Sequence, residues 1–335
     1  MKARPILHTS LLAVSALLAA SVQAAGPRVR EFDLTYTARI ADLPPGAHKV
    51  DLWLPYPVSD EHQEVTVTEV SSPYPHQVLK EPRLGNSILH VAAADPKTRD
   101  LTVEMKVHVR RKEYLHNDFA SYHPGAKGAP PADVARWLKP DRLVPLDARI
   151  RQLSREVTRG KKTDLEKARA IYDYVVDTMS YDKSGTGWGN GDIYWACDMK
   201  RGNCTDFHAL FIGLNRAAGI PARFSIGLPL PPEHGQGEIP GYHCWAEFYL
   251  RGFGWVPVDA SEARKNPDKR AYFFGAHDEN RVQFSTGRDL VLNPPQAGAP
   301  LNYFIYPYAE VDGKPYPEVT KTFRFQDQDA RTAAR

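Results

Sequence analysis

The chain has 335 residues, with 43 lysines and arginines against 40 acidic residues, and a formal net charge of +3 at pH 7. A balance so close to neutral excludes the strong basic field typical of nucleic-acid-binding proteins. The length suffices for one large or two ordinary domains, and the 28 prolines favour strands and loops over a helical bundle.

The N-terminus has the pattern of a secretory signal peptide. Lys2 and Arg4 precede an apolar stretch over residues 6–20, which is too short to cross a bilayer. Val22 and Ala24 supply the small residues of a cleavage site. We expect cleavage after Ala24, which lowers the formal charge from +3 to +1 and predicts a periplasmic or secreted protein without a membrane anchor. The alternative is an uncleaved anchor.

Apolar and polar residues alternate with period two through the first third of the chain, which predicts strands with one buried face. Turns rich in proline and glycine separate the clearest segments, which are 33–40, 50–54, 65–70 and 101–109. Together they predict an antiparallel β-sandwich without chemistry of its own, with a structural or substrate-positioning role.

Helical periodicity follows a connector rich in glycine and proline. A helix is expected over 146–157, a second begins at the capping box of Thr163 and Glu166, and a third runs from Cys204 to Ala218. Strands over 222–228, 243–250 and 255–260 then predict an α+β domain. The predicted organisation is a signal peptide (1–24), a β-sandwich (27–115), a linker (116–144), a catalytic domain (145–288), a C-terminal β-hairpin extension (289–325) and a flexible tail (326–335).

Cys204 is the candidate nucleophile. It stands at the predicted start of a long helix, where free N–H groups and the positive end of the helix dipole stabilise a thiolate. Gly202 just upstream allows a sharp turn and close approach of a substrate. The N–H of Cys204 can then stabilise a developing oxyanion. The alternative is a small buried residue at a helix start.

His243 and Asp259 are the candidate base and orienting acid. His243 begins one strand of a predicted hairpin and Asp259 ends the other, so the short turn between them brings both side chains together. A carboxylate bound to the imidazole fixes its tautomer and supports an imidazolium beside a thiolate.

Four segments in this order resemble the transglutaminase-like superfamily. They are Arg201-Gly202-Asn203-Cys204-Thr205-Asp206-Phe207-His208-Ala209-Leu210-Phe211, Arg216-Ala217-Ala218-Gly219-Ile220-Pro221-Ala222-Arg223, His243-Cys244-Trp245-Ala246-Glu247 and Gly254-Trp255-Val256-Pro257-Val258-Asp259. The resemblance implies a papain-like α+β core and places Cys204, His243 and Asp259 at the family's triad positions. It also implies attack on an amide carbonyl to give a thioester, without a cofactor or metal.

Relatives also use an aromatic N–H or O–H upstream of the nucleophile as a second oxyanion donor. The resemblance therefore makes Trp188 and Tyr181 candidates, with Tyr194 favoured as a packing residue. Asp206, Glu247 and Arg201 match family positions, and we interpret them as structural: Asp206 with free helix N–H groups, and Glu247 bracing the loop before Cys204.

Several interpretations stay open at this point. The substrate is a protein, a peptide or a cell-envelope polymer, and either water or an amine can resolve the thioester. A catalytically idle scaffold would instead bind peptide or polymer through a groove lined by Trp188, Trp195 and Trp245. Zinc binding by Cys204, His243 and Asp259, with or without Cys244, lacks the close ligand pairs typical of zinc sites.

The remaining predictions concern neighbouring residues. Cys197 and Cys244 either form a disulfide, which would resolve the odd number of cysteines in an oxidising compartment, or stay as small buried thiols. Cys244 is expected to point away from the face of His243, and His208 toward solvent. The loop over 229–240 is expected to overhang the substrate groove.

Overall fold

The computed structural model of the protein describes residues 26–125 and 128–328, so the predicted signal peptide lies outside the described residues. The strands are β1 (Val29–Ile40), β2 (Lys49–Pro55), β3 (Gln63–Ser71), β4 (His76–Lys80), β5 (Ser87–Ala94), β6 (Leu101–Lys112), β7 (Tyr114–Leu115), β8 (Ser180–Tyr181), β9 (Arg201–Gly202), β10 (Ala222–Pro229), β11 (Gln236–Glu238), β12 (His243–Leu250), β13 (Gly254–Val258), β14 (Ala276–His277), β15 (Arg281–Thr286), β16 (Tyr308–Val311), β17 (Lys314–Pro315) and β18 (Thr320–Asp327).

The α-helices are α1 (Ala132–Ala135), α2 (Ala148–Val157), α3 (Asp164–Thr178), α4 (Ile193–Met199), α5 (Cys204–Ala217) and α6 (Ala260–Lys265). Short 3₁₀ turns occupy 119–121, 136–138 and 267–269. Within the described residues, no helix has the length and apolar character needed to span a bilayer.

Two antiparallel sheets form the predicted sandwich. One has the strand order β11-β18-β1-β6-β3 and the other β17-β16-β2-β5-β4. Every second side chain of β1 and β6 is buried, as expected for strands with one face on a core. Most buried apolar side chains of both sheets belong to one hydrophobic cluster, which continues into the helical region. Trp53 of β2 and Ile88 of β5 belong to a second, smaller cluster.

The C-terminal strands complete these two sheets, although we expected residues 289–325 to form a separate hairpin. β16 pairs with β2, and β18 pairs with β1 over eight residue pairs. β16 and β17 do form a small hairpin around Asp312 and Gly313. The physical reason is that β1 and β2 would otherwise present unpaired edges. Residues 326 and 327, expected in a flexible tail, lie in β18.

The loop over 229–240 contributes a strand to the sandwich. Its central strand β11 pairs with the edge of β18, so it extends the sandwich. Arg30 of β1 holds the same loop through the carbonyl oxygens of Pro231 and Glu233, and its guanidinium pairs with Asp327 at 2.9 Å. The loop therefore joins the two halves of the molecule.

The predicted α+β core is present. A four-stranded antiparallel sheet has the order β13-β12-β10-β15, and α5 packs on β12 and β10. Residues 204–216 of α5 are all buried, so this helix is the centre of the core. The core brings the first residue of α5 close to the first residue of β12.

A buried carboxylate attaches the glycine-rich loop over 184–192 to the start of α5. Asp206 accepts hydrogen bonds from the backbone N–H groups of Gly189 (2.7 Å), Gly191 (3.0 Å) and Asn203 (3.0 Å). Burial raises the pKa of Asp206, and these N–H groups act in the opposite direction. The assignment of Asp206 as a residue that binds free N–H groups therefore agrees with these contacts.

Replacing this carboxylate tests its contribution to the fold. Asp206→Ala leaves three N–H groups without their acceptor, so we expect the free energy of unfolding in urea to fall by about 2–4 kcal/mol. Asp198→Ala is the matched control, because Asp198 is exposed and its pairing with Arg149 is a surface ion pair worth at most about 1 kcal/mol. Equal losses in the two variants would contradict this role.

Candidate active site

The start of α5 presents the thiol of Cys204. Asn203 caps the helix, with its side-chain oxygen accepting from the N–H of Thr205 at 2.9 Å. Gly202 has φ +150°, and a Cβ there would lie 2.1 Å from an Asp206 oxygen, so glycine is required. As the first residue of the helix, Cys204 has an N–H with no acceptor inside the helix.

The imidazole of His243 lies between Cys204 and Asp259. Its Nε2 is 2.7 Å from Oδ2 of Asp259. The imidazole also lies near enough to the thiol of Cys204 for His243 to lower the pKa of Cys204 and for Cys204 to raise that of His243. Because Nε2 is occupied by the carboxylate, Nδ1 is the nitrogen left for the sulfur. Cys204 is 2% exposed and His243 is 6% exposed, so water has little access to this contact.

Asp259 is fully buried and is held by several donors. Oδ2 binds His243 and Arg281, the latter at 3.1 Å, while Oδ1 accepts from the hydroxyl of Ser261 and the N–H of Glu262, both at 3.0 Å. The N–H of Glu262 belongs to the first turn of α6, which Asp259 caps. The carboxylate is therefore fixed in position by the sheet, by β15 and by a helix end.

Cys204, His243 and Asp259 shift one another's pKa values. Burial raises the pKa of Cys204, but hydrogen bonds from Cys244 and His243 and the charge of His243 bring it well below its ordinary value. Burial lowers the pKa of His243, but Asp259 and Cys204 raise it to about 10. Burial raises the pKa of Asp259, and His243 followed by Arg281 holds it well below its usual range. These shifts favour a thiolate on Cys204 beside an imidazolium on His243.

Tyr242 connects β12 to the start of α5. Its hydroxyl is 3.0 Å from Nδ2 of Asn203 and 2.9 Å from the hydroxyl of Thr205. These contacts flank Cys204 on both sides in sequence, and Tyr242 directly precedes His243. The same side chain therefore sets the distance between the two elements that carry the thiol and the imidazole.

Cys244 and His208 are both buried at α5, and His208 is placed differently from the sequence prediction. Cys244 is buried beside Cys204, with its sulfur 3.7 Å from Nδ1 of His208 and 3.7 Å from the hydroxyl of Thr205. His208 is fully buried, and its Nε2 accepts from the N–H of Ala260 at 3.2 Å. The prediction of an exposed His208 was wrong because every face of α5 is covered by the core.

The three cysteines are free, so the predicted alternative of a Cys197–Cys244 disulfide is not present. Burial, followed by the hydrogen bond to Cys204 and the charge of Cys204, raises the pKa of Cys244 well above its ordinary value. Cys244 therefore keeps its proton, and its thiol lies near enough to Cys204 to lower the pKa of that residue.

Comparisons with known proteins identify the family of the chain. The family model of the transglutaminase-like superfamily matches residues 151–260. An uncharacterized protein of Haemophilus influenzae is 32% identical over 322 residues, covering 85% of this chain and 86% of that protein. The chain belongs to the transglutaminase-like superfamily. This superfamily uses cysteine-based hydrolysis and acyl transfer.

Two further comparisons concern more distant proteins. The uncharacterized protein YebA of Bacillus subtilis is 24% identical over 215 residues, which cover 60% of this chain and 26% of YebA. A crystal structure from Cytophaga hutchinsonii, named as a candidate cysteine protease, has a TM-score of 0.61 at 18% identity and covers 90% of this chain and 92% of that one. The second likeness confirms the transglutaminase-like fold across both halves of the chain.

The candidate second oxyanion donors of this transglutaminase-like site differ in their surroundings. Trp188 donates its indole N–H to the carbonyl of Gly185 at 3.0 Å, and Tyr194 donates its hydroxyl to Asp147 at 2.6 Å. The hydroxyl of Tyr181 has no acceptor among the described residues. Burial and then the charge of Cys204 raise the pKa of Tyr181, so its O–H stays protonated next to the thiolate.

The tryptophans proposed for a binding groove do not share one surface. Trp195 packs against Gly187 of the glycine-rich loop and donates its N–H to the carbonyl of Arg201 at 3.1 Å. Trp245 is 1% exposed, with Arg281 stacked on its ring at 5.0 Å. Trp245 therefore adds no exposed surface to the groove of the scaffold hypothesis.

Glu247 and Arg281 have roles that the sequence did not predict. Glu247 forms a bidentate ion pair with Arg223, at 2.6 and 2.9 Å, and does not brace the loop before Cys204. In the described part of the chain, no group of three or more His, Cys, Asp or Glu side chains is arranged to hold a metal ion. Arg281 was missed by sequence reasoning, because a buried arginine on a later strand leaves no motif.

The ion pair predicts the reactivity of Cys204. His243→Gln removes the cation, so the pKa of Cys204 rises and its alkylation by iodoacetamide at pH 7 slows by at least about tenfold. Peptide mapping by mass spectrometry separates Cys204 from Cys197 and Cys244. His76→Gln, on an exposed position of β4, is the matched control and should react like the unaltered protein. Unchanged labelling of His243→Gln would show that the two groups are not paired.

Cys244 is expected to change the pH dependence of Cys204 alkylation. Cys244→Ala removes a donor to the thiolate, so the pH at which Cys204 alkylation is half-maximal should rise by up to about one unit. Cys244→Ser keeps an O–H donor and should retain most of the effect. Identical pH profiles for the unaltered protein and Cys244→Ala would remove Cys244 from the site's electrostatics.

Proposed function

We propose that this protein is a cysteine-dependent enzyme that hydrolyses or transfers acyl groups at peptide or carboxamide bonds through a thioester on Cys204. The observation that carries the proposal is the buried chain of contacts from the sulfur of Cys204 through His243 to Asp259. Membership of the transglutaminase-like superfamily supports the same chemistry.

The first half of the reaction forms the acyl-enzyme. The Cys204 thiolate attacks the substrate carbonyl carbon, and the carbonyl oxygen takes the negative charge. The N–H of Cys204 and the hydroxyl of Tyr181 are the proposed donors to this oxygen. His243 transfers its Nδ1 proton to the leaving nitrogen, the carbon–nitrogen bond breaks, and an amine or ammonia departs.

The second half releases the acyl group. The now neutral His243 accepts a proton from water or from an acceptor amine, which attacks the thioester carbonyl. The carbon–sulfur bond breaks, and the imidazolium–thiolate pair is restored. Asp259 stays ionised throughout and keeps the proton on Nε2, because its carboxylate is held by Arg281 and two further donors.

The titration of the two groups defines a pH range for activity. The thiolate is present above the lowered pKa of Cys204 and is lost when pH falls through it. The imidazolium is present below the pKa of His243, about 10, and is lost when pH rises through that value. The competent ion pair therefore extends from the lowered pKa of Cys204 to about pH 10.

The proposed substrate is a protein, a peptide or a cell-envelope polymer met in the periplasm or outside the cell. The location rests on the signal-peptide pattern of residues 1–24. A protease-type hydrolase is the second candidate within this chemistry, and it differs only in that water, not an amine, resolves the thioester. This second candidate is supported by the likeness in fold to the Cytophaga hutchinsonii protein, which is named as a candidate cysteine protease.

Detection of the acyl-enzyme tests this function. Incubation with a peptide library should produce acyl adducts on Cys204. These adducts are detected by intact-mass spectrometry after an acid quench. Added primary amine should shorten the lifetime of the adduct and yield an amide product if the enzyme is a transferase, whereas a hydrolase should yield only the acid. Cys204→Ala is the control. The absence of any adduct, or the same adduct in Cys204→Ala, would reject the proposal.

A further inference from the structure

A cavity of about 710 Å³ lies between the sandwich and the catalytic sheet. The loop of residues 60–62 and the end of β6 form one side, and strands β12, β13 and β15 form the other. Aromatic side chains contribute much of the wall, namely Tyr114, Trp245, Phe253 and Trp255. The cavity is separate from Cys204, which is not among its lining residues.

Arg111, at the end of β6, lines this cavity without an ionic partner. Its side chain is 2% exposed, and none of the described carboxylates pairs with it. One terminal N–H donates to Oε1 of Gln63 at 3.3 Å, and its buried Nε has no acceptor. Burial lowers the pKa of Arg111 to about 10, so the guanidinium is still charged at neutral pH. The charges of Asp60, Asp278 and Glu247 act on Arg111, but none of these carboxylates forms a hydrogen bond with it. A buried guanidinium with donors left unpaired is costly, which indicates an anionic ligand.

The other charged groups at the cavity already have partners. Arg223 is engaged by both oxygens of Glu247. Asp60 accepts the backbone N–H groups of His62 and Gln63 at 2.7 and 2.9 Å. Arg111 is therefore the cation of this wall that is available to a ligand.

The chemistry of the wall favours one class of anion. Asp60, Glu61 and Glu247 give the cavity negative charge beside Arg111, which penalises a doubly charged phosphate more than a singly charged carboxylate. A planar guanidinium also matches a carboxylate with two parallel hydrogen bonds. The aromatic wall provides apolar surface for the rest of such a molecule.

We propose that this cavity is a binding site for an amphiphilic carboxylate, with its carboxylate on Arg111 and its apolar body against Trp245 and Trp255. Both a free organic acid and the C-terminal residue of a peptide have this chemistry. The site lies behind the triad: Trp245 follows His243 by two positions on β12, and Arg281 stacks on Trp245 at 5.0 Å while binding Asp259. A ligand in the cavity would therefore contact the wall that supports the catalytic carboxylate.

Isothermal titration calorimetry on the full-length Cys204→Ala protein tests the site without turnover. The probes are 3-phenylpropionate, the corresponding alcohol 3-phenylpropan-1-ol, and the tripeptide Ala-Ala-Phe with a free or an amidated C-terminus. We expect binding of the carboxylate probes and at least tenfold weaker binding of the alcohol and the amidated peptide. Binding of 3-phenylpropionate identifies free acids as ligands, and binding of the tripeptide carboxylate identifies peptide C-termini.

The matched pair of variants is Arg111→Gln and Arg110→Gln, each in the same Cys204→Ala background. Arg110 is the neighbouring residue of β6, partly exposed and paired with Glu64. Arg111→Gln should weaken the carboxylate probes at least tenfold, and Arg110→Gln by less than twofold. If circular dichroism shows that Arg111→Gln does not fold, the comparison of carboxylate and alcohol binding to the Cys204→Ala protein tests the proposal by itself. Equal binding of acid and alcohol, no binding of either acid, or unchanged binding by a folded Arg111→Gln would overturn the proposal.

Discussion

A carboxylate without solvent exposure, Asp259, fixes the imidazole of His243 against the thiol of Cys204. The ion pair between sulfur and imidazole is formed in a nearly dry environment, where electrostatic attraction is stronger than in water but each separate charge is costly. Arg281 and the first turn of α6 help to offset that cost by donating to the same carboxylate. The acid therefore stabilises the charged state of the pair and also determines which imidazole nitrogen faces the sulfur.

The rest of the fold holds the start of α5 and the start of β12 together at the site. Asp206 binds the glycine-rich loop to the start of α5, and Tyr242 connects the same helix start to β12. Further away, β18 and β11 join the C-terminus and a catalytic-domain loop to the sandwich. The two halves consequently share one continuous hydrophobic cluster, and the cavity beside Arg111 lies where they meet.

Local signals in the sequence predicted the elements that carry the site. The capping position before Cys204 and the hairpin between His243 and Asp259 depend on neighbouring residues, so periodicity and turn chemistry suffice to find them. Contacts between distant segments were not predictable in the same way. Arg281 reaches Asp259 from another strand, and His208 is buried because the core covers all faces of α5. The pairing of β18 with β1 likewise depends on β1 lying at the edge of its sheet, which is known only once the sandwich is folded.

Ultraviolet titration of the thiolate tests the central claim, that Cys204 and His243 form an ion pair at neutral pH. The difference between the absorbance of the unaltered protein and that of Cys204→Ser isolates this sulfur, and titration from neutral to acid pH follows its protonation. If the pair is formed, we expect a thiolate at pH 7 that disappears only at a pH well below the usual thiol value of about 8.5. A thiolate that first appears near that usual value would contradict the claim.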